Sequence, residues 1–163
     1  MSSPSKVFFI RPAGPADVPD ILQLVIDLAT YEKAADSVKA TPELLNKNLF
    51  ETPYAHTLLA FSGTPTSPGK AVGLALYFFN FSTWTGRPGI YLEDLYVNPD
   101  FRGSGIGKAF FAELSKIAEE KWNQPSIDFY EKTLDASPMS EWMGMRLEEA
   151  GIAKLKRFAQ QPN

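Results

Sequence analysis

Between Tyr91 and Lys108 the chain reads YLEDLYVNPDFRGSGIGK: an aromatic and branched run, a turn, then glycines at 103, 105 and 107. The run from Tyr91 to Val97 has strand composition, and Asn98-Pro99-Asp100 closes it as a turn. From Lys108 to Lys121 the spacing predicts a helix, with Phe110, Leu114, Ile117 and Lys121 on one stripe and Phe111 and Ala118 beside it. A glycine loop opening a helix leaves backbone N–H groups unpaired at the positive end of the helix dipole, which suits a phosphate. Few local patterns constrain a chain more. A strand must lead in, a helix must lead out, and an anion fits between them.

Commoner phosphate loops are excluded by spacing. A P-loop needs a glycine where Arg102 stands and a hydroxyl residue where Ala109 stands. A dinucleotide fingerprint needs G-x-G-x-x-G inside a βαβ unit, and neither condition is met. The remaining pattern, R-x-x-G-x-G after a strand, resembles the acyl-CoA pyrophosphate loop of the GCN5-related N-acetyltransferase (GNAT) superfamily. YLEDLYV before the loop, WNQPSIDFY after it, STWTGR upstream and RPAGPADVPDILQLVIDLATYEK near the start all resemble its diamine (spermidine/spermine) and thialysine acetyltransferases. The resemblance covers roughly Ile10 to Tyr130 and weakens after Thr133.

Composition is compatible with that class. A chain of 163 residues, 44% hydrophobic and 21% charged, is expected to form one domain, 1–163, around one core. Net charge is −3, which gives no footprint for nucleic acid. There is no cysteine and a single histidine, so an acyl-cysteine intermediate and thiolate zinc sites are excluded, and no metal is expected. No apolar run has transmembrane length, and MSSPSKVFFIRP lacks a signal-peptide core. A cytoplasmic protein with no membrane partner is expected.

Lys6 to Arg11 reads as a strand stopped by Pro12. Asp17 is placed as the N-cap of a first helix with a stripe of Ile21, Leu24, Val25 and Leu28, ending near Tyr31-Glu32-Lys33. Thr41 caps a short second helix that begins at Pro42 and carries Leu44, Leu45 and Leu49. Thr57–Phe61 and Ala71–Phe81 read as strands, with 62–70 as a polar loop between them. Ser82–Gly89 is expected as a loop that sets Trp84 at an open tip. The fold expected is α+β, a mostly antiparallel central sheet flanked by helices.

The resemblance implies acetyl-CoA as co-substrate and a small cationic amine as acceptor, in a homodimer. It implies Glu93 as general base, and Tyr130 as the acid that protonates the leaving sulfur. The residue-level alternatives are a solvent-exposed or ion-paired Glu93 and a core aromatic Tyr130. The cofactor would be held by backbone groups of Leu95, Val97, Gly103, Ser104, Gly105, Ile106 and Gly107, with Arg102, Lys108 and Asn123 adding side chains. Tyr31, Glu32, Trp84, Glu93 and Asp94 would line the amine channel. Regular strand alternation turns Asp94 away from Glu93, and only a bulge would bring both to one cleft.

One departure is visible. The family pattern has a further strand after the long helix, splayed so that the pantetheine arm enters, yet Lys121 runs straight into Trp122-Asn123-Gln124-Pro125. Either the end of that helix becomes strand or the cleft changes. The tail from Glu141 to Phe158 reads as helix where the family places strands. Two further readings therefore stay open: a catalytically weak member that binds CoA or a polyamine, and a protein-lysine acetyltransferase.

Overall fold

The computed structural model describes residues 6–83 and 86–121. All of these belong to one compact unit, Met1–Ile127. In chain order they form β1 (Phe8–Pro12), α1 (Val18–Tyr31), α2 (Pro42–Asn46) continued by a wide turn at Lys47–Glu51, β2 (His56–Thr64), β3 (Ser67–Ser82), β4 (Arg87–Val97) and α3 (Ile106–Lys121). The strands make one antiparallel sheet in the order β1-β2-β3-β4. This is the α+β architecture expected. No helix among the described residues is long and apolar enough to cross a membrane.

Strand alternation divides the core between two faces. Leu58, Ala60, Ala75 and Tyr77 pack with Ile106, Phe110 and Leu114 of α3. On the other face Leu59, Phe61, Leu74 and Tyr96 pack with Ile21 and Leu24 of α1 and with Leu49. Each helix therefore presents the stripe its sequence predicts, although Phe111 of α3 and Leu44 of α2 are exposed. Thr41 caps α2 as expected, accepting the Leu44 N–H at 3.2 Å.

Asp17 occupies the N-cap position of α1 without capping it. Its carboxylate instead takes both terminal nitrogens of Arg11, at 2.7 and 2.8 Å, and the Gly14 N–H at 2.7 Å. The Arg11 bond, and more weakly the Gly14 N–H, hold its pKa below the usual range against the opposing cost of burial. The pair ties β1 to the start of α1.

The segment 62–70 is not a loop. β2 and β3 run together to a tight turn in which Thr64 pairs with Ser67, and the Thr64 hydroxyl accepts the Ser67 N–H. Polar, proline-bearing composition reads as loop, but an exposed hairpin end needs no apolar side chains once its backbone ladder is paired. Likewise β3 extends to Ser82 and β4 begins at Arg87, so the second hairpin has a shorter tip than 82–89. α3 begins at Ile106, before the expected Lys108, and stays helical to Lys121. Its last turns are therefore not converted to strand.

Candidate functional site

The phosphate-type loop is built by local hydrogen bonds. Asn98 accepts the Asp100 N–H on its side-chain oxygen at 3.0 Å, opening a single 3-10 turn at Pro99–Phe101. The Phe101 carbonyl then accepts the Ser104 hydroxyl at 2.6 Å. Gly103 and Gly105 have φ of +76° and +97°, a left-handed backbone that a Cβ would strain, so the loop folds back to start α3. The first intrahelical bond runs from Ala109 N–H to the Gly105 carbonyl at 3.0 Å. The N–H groups of Ile106, Gly107 and Lys108 thus lie in the first turn, where no residue four positions back is helical.

These amides border a cavity of about 460 Å³ between the end of β4 and the start of α3. Val97, Phe101, Arg102, Gly103, Gly105, Ile106, Gly107 and Lys108 line it. Two of the expected cofactor contacts, Leu95 and Ser104, are not on its wall, and the Ser104 hydroxyl is spent inside the loop. The donors, the dipole end and Lys108 suit a diphosphate, so the residues present fit the cofactor the loop implies. Arg102 is on the cavity wall, and its Nε donates to the Val97 carbonyl at 3.1 Å. Its guanidinium lies 4.6 Å from the Tyr31 ring centre, so Tyr31 meets the phosphate loop.

Lys6 was missed by sequence reasoning. It lies over the Phe101 ring and donates to the Asp100 carbonyl, adding a cation behind the loop. No local pattern could reveal a contact spanning 94 residues.

The second half of the site is a β-bulge. Leu76 pairs with Asp94 and the next residue, Tyr77, pairs with Leu92, so Glu93 is the extra residue in β4. Regular alternation is broken there, as Leu92 and Leu95 both pack on the α3 face. Asp94, between Leu95 and the bulge, faces the α1 side together with Tyr96. Glu93 is exposed, as its residue-level alternative has it, and Asp94 is the half-buried member. Burial, then the charges of Glu93 and Glu32, push the Asp94 carboxyl above the usual aspartate range. Glu32 follows the last residue of α1, so Asp94 feels a carboxylate from its own strand and one from the end of α1. Asn123, Tyr130 and Trp84 lie outside the described residues, as do the segment after Lys121 and the Glu141–Phe158 tail. Among the described residues no cluster of side chains is arranged to hold a metal ion.

Solved structures share this architecture. One is a V. cholerae integron cassette protein, with TM-score 0.65, 24% identity, and coverage of 92% of this chain and 98% of that one. Another is a Trypanosoma brucei acetyltransferase, with TM-score 0.58, 25% identity, and coverage of 87% and 99%. The model of the Acetyltransferase (GNAT) family matches residues 21–135, and the chain belongs to that family. Among known proteins it is similar to the thialysine N-epsilon-acetyltransferase of Bos taurus, at 39% identity over 90% of this chain and 95% of the relative. The protein of that name in Caenorhabditis elegans is 29% identical over 91% and 97%. Spermidine/spermine N(1)-acetyltransferase-like protein 1 of Homo sapiens is 36% identical over 83% of this chain and 22% of its own length.

Proposed function

We propose that this protein transfers the acetyl group of acetyl-CoA to a primary amine of a small polyamine or lysine-like molecule, by direct attack in a ternary complex. The observation that carries the reading is a pairing of two devices on consecutive elements. An anion cradle opens α3, and a bulged carboxylate pair sits on β4, the strand that feeds it. Names of the similar proteins add support, since they are acetyltransferases of thialysine and, by likeness, of spermidine and spermine.

The acceptor amine is an ammonium at neutral pH, with a pKa near ~10, and must shed a proton before its lone pair can attack. Glu93 takes that proton, through water. Asp94 and Glu32 add negative potential that draws the cation in. Acetyl-CoA supplies the activated thioester. Backbone groups of Leu95 and Val97 orient the acyl arm, and the first turn of α3 with Lys108 holds the diphosphate. Asn123 binds the pantetheine arm. As the C–N bond forms and the C–S bond breaks, Tyr130 gives its phenolic proton to sulfur; Glu93, having passed the first proton to water, takes the second from nitrogen, and a solvent proton restores Tyr130. Action in the cytoplasm as a homodimer belongs to the same proposal, and sedimentation showing monomer alone would reject the dimer.

A second reading is favoured by one fact. The alignment with the Bos taurus protein spans 165 positions, longer than the whole 163-residue chain, so it must open gaps in this chain. A shortened cleft would bind CoA or a polyamine without turnover. The test is thiol release on a panel of diamines, lysine analogues and lysine peptides, with calorimetry of acetyl-CoA binding, for wild type and Glu93→Gln. The substitution is expected to lower turnover ~100-fold or more while cofactor binding persists, the scale for losing a positioned base. Equal rates would reject Glu93 as base. Binding with no turnover on any amine selects the second reading, and turnover confined to peptides would make the acceptor a protein lysine.

A further inference from the structure

The bulge at Glu93 has an effect beyond the two acids. Asp94 and Tyr91 are three residues apart, an odd spacing that regular alternation would place on opposite faces. Because Glu93 is looped out of the register, Asp94 pairs with Leu76 and Tyr91 with Phe78, two residues apart on β3 and therefore on one face. Ile90, Leu92 and Phe79 pack toward α3, which leaves Tyr91 and Phe78 on the α1 side, beyond the reach of the α1 core cluster. Their rings stack with centres 4.8 Å apart at 26°, and Tyr91 is 50% exposed.

We propose that the stacked Phe78–Tyr91 pair is a specificity subsite that receives the second cationic group of a diamine whose first nitrogen is acetylated beside Glu93. This rests on the reading of the chain as an amine acetyltransferase. The ring pair lies one pleat repeat, ~7 Å, from the Asp94 row, which suits an ammonium roughly five or six bonds from the reacting nitrogen. Chemistry selects the cation. Asp94, Glu93 and Glu32 give this end of the face a negative potential, which repels carboxylates and phosphates. Aromatic faces attract an ammonium through their quadrupole, and they also cover its methylene stem. The Phe78–Tyr91 stack holds the receiving ring at a fixed angle, so little order is lost on binding.

The test compares 1,4-diaminobutane and 1,5-diaminopentane with butylamine and pentylamine, using wild type, Tyr91→Ala and Tyr91→Phe. Turnover is read by thiol release, and diamine binding separately by calorimetry. Tyr91→Ala is expected to raise the diamine KM roughly 3- to 30-fold, the range of a cation–π contact, with kcat and the monoamine KM little changed. Tyr91→Phe, which keeps the π face, should retain the diamine preference. Equal losses on diamines and monoamines, no loss in Tyr91→Ala, or an equal defect in Tyr91→Phe would each overturn the subsite. If wild type acetylates no amine, the enzyme reading falls. The subsite is then decided by calorimetry alone, standing if diamine affinity depends on the Tyr91 ring and falling if it does not.

Discussion

Asp94 is the residue at which stability and function pull apart. Burial and two neighbouring carboxylates raise its pKa, so folding favours its protonated form. A group raised in this way stabilises the fold below its unfolded pKa and loses that contribution as pH rises through the folded one. At neutral pH an ionised Asp94 therefore weighs against folding. Asp94→Asn is expected to gain up to about 1 kcal/mol at pH 7, reduced by the solvent screening of a half-exposed site. Thermal melts should show the gain vanish toward about pH 3, below the ordinary aspartate pKa of ~3.9, where Asp94 is protonated in folded and unfolded chains alike. A gain that persists in acid would assign the effect to packing. Asp17 shows the opposite sign, because the Arg11 bond lowers its pKa, and its stability contribution is lost only in acid. A carboxylate left in an unfavourable place among other carboxylates is the pattern expected of a site that waits for a cation.

At the scale of elements the decisive contact is between β3 and the first turn of α3. A Cβ on Gly73 would stand 3.1 Å from the Tyr96 carbonyl, 3.2 Å from the Phe110 ring and 3.4 Å from Ile106. Phe110 and Ile106 are almost wholly buried and have no space to retreat. The missing side chain lets the helix N-terminus lie close on the sheet, and the cradle depends on that closeness. Gly73→Ala is therefore expected to cost about 1–3 kcal/mol, the usual toll of overpacking. It should also weaken acetyl-CoA binding although residue 73 does not line the cavity. Denaturant melts and calorimetry check both effects, and a variant that binds as wild type would show that the cradle tolerates a shift of α3. The bulge in β4 is the corresponding device on the acidic side, since one extra residue turns Asp94 and Tyr91 onto a common face.

For the whole molecule, the donor site and the fold are one thermodynamic system. The cradle needs β4, the glycine loop and α3 together, so a ligand that fills it binds the native chain and not the unfolded one. Acetyl-CoA at a hundredfold excess over its Kd should add about 2.7 kcal/mol, or roughly 5–10 °C in Tm for a domain of this size. Differential scanning fluorimetry reads the shift. Gly105→Ala, which asks an alanine to hold a φ of +97°, should lower the starting Tm and shrink the ligand-induced shift. A shift that is absent in wild type would remove the cofactor from the proposal.

The sequence by itself determined the α+β class, the apolar stripes of α1 and α3, the cap of α2 and the glycine turn that opens α3. These are set by local rules: hydrophobic period on α1 and α3, a hydroxyl cap at Thr41, and glycines at 103 and 105 where the backbone turns left-handed. Other features lay beyond it because they depend on residues far apart in the chain. The 62–70 segment has the composition of a loop, and pairing across the hairpin made it strand. Arg102 lines the cradle as its place in the loop suggests, but its contact with the Tyr31 ring depends on the approach of α1, which no local pattern records. Tertiary structure alone decided the bulge, because register is a property of two strands and neither β3 nor β4 contains it alone.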